Sequence, residues 1–180
     1  MNVRRRWTTV LSAFATVLLA VAVATRSAGA QVRITLPSWH EPIVLDTLKQ
    51  DYPLNAEPAA VYSAVLKAFG ELEIPTGRTD SKAGIVGSER FEKTRNLAKA
   101  PLSRWFSCGE SATGPNADAY RLSIAIAAWV QPSAGGGTTL GVAAVASAQD
   151  FGGVAKRPTQ CGSTGLLEQR IATTVEKLLK

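Results

Sequence analysis

The chain has 180 residues, a length suited to one domain, with 46% hydrophobic residues and a formal net charge of +6. The first 30 residues hold four arginines and no acid, so residues 31–180 carry 16 Lys and Arg against 14 Asp and Glu, a net of +2. That near-neutral balance excludes an electrostatic argument for nucleic acid or an anionic membrane surface as partner.

Arg4, Arg5 and Arg6 form a positive start, and Val10 to Ala24 is an uncharged apolar run. Ala28 and Ala30 then supply the small residues that a signal peptidase reads. Residues 1–30 are therefore expected to be a secretory signal peptide cut after Ala30, with Ala24 as a second possible cut. The competing reading is an uncleaved anchor, but the run is shorter than the roughly 20 residues that span a bilayer. Membrane contact is expected only during export or through such an anchor. No cysteine stands near the cut for lipid attachment.

Residues 31–41 read as a loose lead-in, and 42–180 as a single α+β domain. Ile43, Val44, Leu45 and Leu48 predict a strand over Ile43–Asp51, closed by a turn at Asp51–Asn55. Pro58 suits the first turn of a helix, and Val61, Val65, Ala68, Phe69 and Leu72 recur along one face. The residue before Pro75 marks its end. A short strand over Ile74–Thr79, a turn at Asp80–Gly84 and an extended run Ile85–Phe91 follow. Glu92–Ala100 reads as a solvated loop, Leu102–Cys108 as a strand and Ser111–Asp118 as a loop. Tyr120 to Val130 alternates with period two, Pro132–Gly137 turns, and Thr138–Ser147 returns as a second strand. After another loop, Leu167, Ile171, Val175 and Leu178 mark a closing helix with Ser163 or Thr164 as cap.

The economical assembly is two-layer α+β: an antiparallel sheet of about five or six strands with two helices on one face. Cys108 and Cys161, 53 positions apart, read as a disulfide in an exported protein. Two free thiols, or a redox or metal site, are the rival readings. A closed loop of that length stabilises by about 4 kcal/mol in the chain-entropy model.

The segments Pro58–Val65, Leu72-Glu73-Ile74-Pro75 and Asp80–Gly87 together resemble the opening of helix-grip domains in bacterial envelope proteins, such as the outer-membrane assembly lipoprotein C group. The resemblance spans roughly residues 42–92 and the closing helix. It implies a sheet gripping a helix and a non-catalytic envelope role. The lipobox cysteine of that group is missing, and Cys108 and Cys161 are additions to its pattern.

Chemistry is sparsely signalled. His40 is the one histidine, so a zinc site lacks ligands and no nucleophile has an obvious base. No catalytic residue, metal or cofactor is assigned. Glu71/Glu73, Glu89/Glu92 and Asp46/Asp51 fit solvated faces as well as a carboxylate hydrolase. The binding candidates are Arg104, Trp105, Arg121 and Trp129, because Trp and Arg are enriched at interface hot spots. Trp129 and Arg121 are expected on a sheet face left open by the helices. The reading is thus an exported, non-enzymatic domain binding a protein or envelope component. The alternatives are a carrier of a small apolar ligand between helix and sheet, or a hydrolase.

Overall fold

The computed structural model describes residues 31–152 and 157–180; the expected signal peptide lies outside them. Among the described residues no helix is long and apolar enough to cross a membrane. In chain order the elements are β1 (Arg33–Ile34), β2 (Ile43–Val44), a 3-10 turn (Leu45–Thr47), β3 (Gln50–Leu54) and α1 (Pro58–Glu71). Next come β4 (Arg78–Asp80), β5 (Ile85–Gly87), β6 (Phe91–Thr94), β7 (Asn96–Leu97), β8 (Ala100–Pro101) and α2 (Leu102–Trp105). The chain continues through β9 (Phe106–Ser107), β10 (Glu110–Ser111), β11 (Gly114–Pro115), α3 (Asn116–Ala119), β12 (Arg121–Pro132), β13 (Thr138–Gln149), β14 (Thr159–Ser163) and α4 (Leu166–Leu178).

The long alternating hairpin forms as the sequence predicts. β12 and β13 pair antiparallel from Arg121 opposite Gln149 to Pro132 opposite Thr138. Their turn needs glycine at Gly137, which has φ +76 and would place a Cβ 2.6 Å from the Leu54 carbonyl. β5 and β6 lie end to end along the outer side of β12, and β3 and β14 along the outer side of β13. β4 extends the sheet beyond β5, and β9 beyond β14, giving eight strands, all antiparallel. Between β5 and β6 the ladder is interrupted at Ser88. Its buried hydroxyl accepts the Ile126 N–H at 2.8 Å, so the break leaves no orphaned donor there.

Alternation then sorts the hairpin into two faces. Leu122, Ile124, Ile126 and Val130 of β12, with Leu140, Val142, Ala144 and Ala146 of β13, join the core beneath α1 and α4. Helix α1 contributes Val61, Val65, Ala68 and Phe69, and α4 contributes Leu167, Ile171 and Val175, the stripes read from the sequence. Helix α1 ends before Pro75 through its own backbone: Glu73 takes φ 57, and the Ile74 N–H returns to the Phe69 carbonyl at 2.9 Å.

The opposite face is also covered, which corrects the two-layer expectation. Residues 31–47 form a strap across it. Val32, Leu36, Ile43 and Leu45 are buried there against Ile85, Ala125, Ala127, Trp129, Ala143 and Val145. β1 and β2 pair with each other, not with the main sheet. The Leu45 N–H donates to the Val32 carbonyl at 2.9 Å, and Gln160 Nε2 donates to the Ser38 carbonyl at 3.2 Å. The lead-in expected to be loose is a third layer.

Other departures are local. The strand expected over Ile43–Asp51 breaks into β2, the 3-10 turn and the start of β3, while Tyr52-Pro53-Leu54, expected in a turn, lies in β3. Pro53 is tolerated because β3 pairs on one side only. Leu102–Cys108 is helical first: α2 precedes the two-residue β9, and Asp118 accepts hydrogen bonds from the Ser103 N–H and hydroxyl at 2.8 and 2.6 Å. Glu92–Ala100, expected as a loop, contains most of β6 and the β7–β8 hairpin. Its two turn residues, Ala98 and Lys99, have φ 51 and 61.

Cys108 and Cys161 form a disulfide, with S–S 2.04 Å. Cys161 sits in β14, so the bond staples β14 to the chain just after β9. Replacing both cysteines by serine is expected to lower unfolding free energy by up to about 4 kcal/mol, read from urea titration. Glu73→Gly should raise stability by about 1 kcal/mol in the same assay, by relieving the left-handed backbone at the end of α1.

Candidate binding cleft

A surface concavity lies between β3 and the start of α4. In β3, Gln50, Tyr52 and Leu54 stand opposite Val142, Leu140 and Thr138. Gln50 and Tyr52 therefore project on the helix side of the sheet. Gly165, before α4, has φ +80, and a Cβ there would come within 2.7 Å of Gln50 Nε2. Glycine at this position lets the Gln50 carboxamide lie against the first turn of the helix.

Three neighbouring residues hold that turn. The Ser163 hydroxyl donates to Glu168 Oε1 at 2.7 Å and accepts the Gly165 N–H at 3.0 Å. The Thr164 N–H donates to the Trp105 carbonyl at 2.9 Å. Its hydroxyl lies 2.8 Å from the Arg104 carbonyl and 3.1 Å from that of Trp105. Glu168 is buried in the first turn, where the helix dipole favours an acid. The N-cap itself is Gly165, which makes no side-chain cap bond, so the expected cap at Ser163 or Thr164 falls one or two residues early and both residues brace the turn that leads into the helix.

The resulting cleft holds about 360 Å³ and is lined by Gln50, Tyr52, Thr164, Gly165, Leu166 and Gln169. The Tyr52 hydroxyl donates to Gln50 Oε1 at 2.9 Å. Leu166, outside the buried stripe of α4, is 42% exposed. The lining thus offers carboxamides, a phenol and a threonine hydroxyl beside one apolar side chain. These groups donate and accept hydrogen bonds at neutral pH without changing charge. Partial burial pushes the Tyr52 phenol above its ordinary value of 10.0, and the Glu168 carboxylate pushes it further the same way. Among the described residues no group of three or more His, Cys, Asp or Glu could hold a metal ion. His40 lies exposed on the strap, across the sheet from the cleft.

The four residues singled out from the sequence separate. Arg104 is exposed beside the cleft, tied to Thr164 through its carbonyl, with its guanidinium 5.3 Å from the centroid of the Trp105 ring. Trp105 is 3% exposed and donates its indole N–H to the Leu97 carbonyl at 2.9 Å, so its side chain belongs to the core. Arg121 projects on the strap side of the sheet, 3.3 Å from Glu92 and stacked on Phe151 at 4.2 Å. Trp129 is 4% exposed beneath the strap, so its ring does not lie on an open face. The cleft residues Gln50, Tyr52 and Gln169 carried no sequence signal as a group. Leu166, an apolar residue off the helical stripe directly after Gly165, is the one that pattern reading could have marked.

No protein-family model matches this chain, and no curated protein matches it.

Ionisation of Tyr52 gives the cleft a pH signature. Because its folded value is raised, the contribution is intact below about pH 10 and is lost as pH climbs through the folded value. Melting temperature followed from pH 8 to pH 11 should fall less steeply in Tyr52→Phe than in wild type. At neutral pH that variant should lose about 1 kcal/mol with its hydrogen bond to Gln50.

Proposed function

We propose that this chain is an exported, non-enzymatic domain that binds an envelope or extracellular polypeptide at the cleft between β3 and α4. The observation that carries this reading is the cleft's composition: Gln50, Gln169, Tyr52 and Thr164 surround the exposed Leu166. Peptide groups are donors and acceptors in equal number, and carboxamides match both roles. A neighbouring leucine offers apolar contact for a partner side chain, and Arg104 at the margin adds a charged, planar donor group. The cleft lining contains no paired nucleophile and base, which favours recognition over turnover.

Export is supported by two independent features. The Cys108–Cys161 disulfide fits an oxidising compartment. Residues 1–30 have the charge, apolar run and small residues of a secretory signal. The packing of α1 and α4 against one face of the antiparallel sheet supports a helix-grip-like reading of the fold.

A pull-down from the exported fraction tests the site. Leu166→Ser combined with Gln169→Ala should reduce recovery of the bound polypeptide about tenfold, equivalent to roughly 1.4 kcal/mol. Arg121→Ala, on the other side of the sheet, should leave recovery unchanged. Equal recovery by wild type and the cleft double variant, both folded by circular dichroism, would remove the cleft from the interaction.

A further inference from the structure

We propose that Gln31 is the amino terminus of the exported protein and closes to pyroglutamate, with Arg33 assisting the closure. This rests on the export reading, through the cut expected after Ala30. Among the described residues the first to be packed is Val32, which is 5% exposed and whose carbonyl accepts the Leu45 N–H at 2.9 Å, whereas Gln31 is exposed. Gln31 therefore stands just outside the strap's core contacts. Its carboxamide has a partner suited to the reaction, because Arg33 Nη2 donates to Gln31 Oε1 at 3.0 Å.

Once the bond to Ala30 is cut, the α-nitrogen of Gln31 attacks its own Cδ and forms a five-membered ring. Negative charge builds on Oε1, the atom to which the guanidinium already donates. Collapse of that intermediate breaks the Cδ–Nε2 bond, and Nε2 leaves as ammonia after taking up a proton lost by the amine. Atoms and electrons balance with no co-reactant.

The product has no α-amine, the group that aminopeptidases require. That matters for this fold because Val32, the second residue, anchors the strap. Trimming by two residues would remove its buried side chain and its bond to Leu45.

The test is mass spectrometry of the full chain after export, intact and as its N-terminal peptide, over a time course. A chain that begins at residue 31 and is one ammonia lighter than its sequence requires is the expected result. Gln31→Asn, whose amide is one methylene too short for the five-membered ring, should keep its ammonia. Arg33→Ala alters an exposed side chain and should slow closure several-fold. The effect should stay below the roughly 100-fold seen when an enclosed oxyanion donor is removed. A chain beginning at Gln31 with a free amine throughout would overturn the proposal and leave export standing. A chain that retains residues 1–30, or starts elsewhere, would overturn the proposal together with the expected cut. Closure of Arg33→Ala at the wild-type rate would remove Arg33 from the reaction.

Discussion

The pairing of β12 with β13 is the constraint on which the rest of the structure depends. Twelve residues of each strand meet in one uninterrupted register, and nearly every position between the ends is buried. A strand pair buried on both faces must be covered on both, because its side chains point alternately to either side. The helices cover one face and the strap the other. A shift of one residue in this register would exchange the two sets, sending Ile124 and Ile126 under the strap and Trp129 under α1. Leu122, Ile124, Ile126, Val130, Leu140 and Val142 place most of the branched side chains on the helix face, whereas the strap face has Trp129 and Val145 among smaller residues.

That asymmetry also explains how much of the fold could be read from the residues. The hairpin and helices α1 and α4 carry their own periodic signals, and these correspond to the observed elements. The strap carries none. Val32, Leu36, Ile43 and Leu45 follow no single period, since each is buried by a tertiary contact with sheet residues about 40 or more positions later. Leu102–Cys108 misleads for a related reason. Its apolar residues fit a strand, but Asp118 bonds to the Ser103 backbone and stabilises a short helical turn in its place. Local propensity loses there to a partner supplied from outside the segment.

The candidate cleft was less legible than the fold. Arg104 was visible as a residue type and stands beside the cleft, whereas Trp129, chosen on the same grounds, fills the space under the strap. Residue type alone does not distinguish an anchor for a partner from an anchor for the domain's own core. Gln50 and Gln169 come from opposite ends of the chain and become neighbours only once β3 is paired and α4 is docked. Gly165, between them in the lining, has no side chain and so leaves room for the Gln50 amide beside the first turn of α4.

The edges of the sheet bear on how copies of this protein behave in company. Strand β3 is unpaired on its outer side and contains Pro53, which has no N–H to offer. Of the other edge strands, β4 has three residues, β6 four and β9 two. A second molecule trying to extend this sheet by strand addition would find a gap in the donor row or a ladder too short to hold it. Among the described residues the molecule therefore buries a continuous pair of long strands without presenting a comparable length of open edge, a separation that works against pairing between copies.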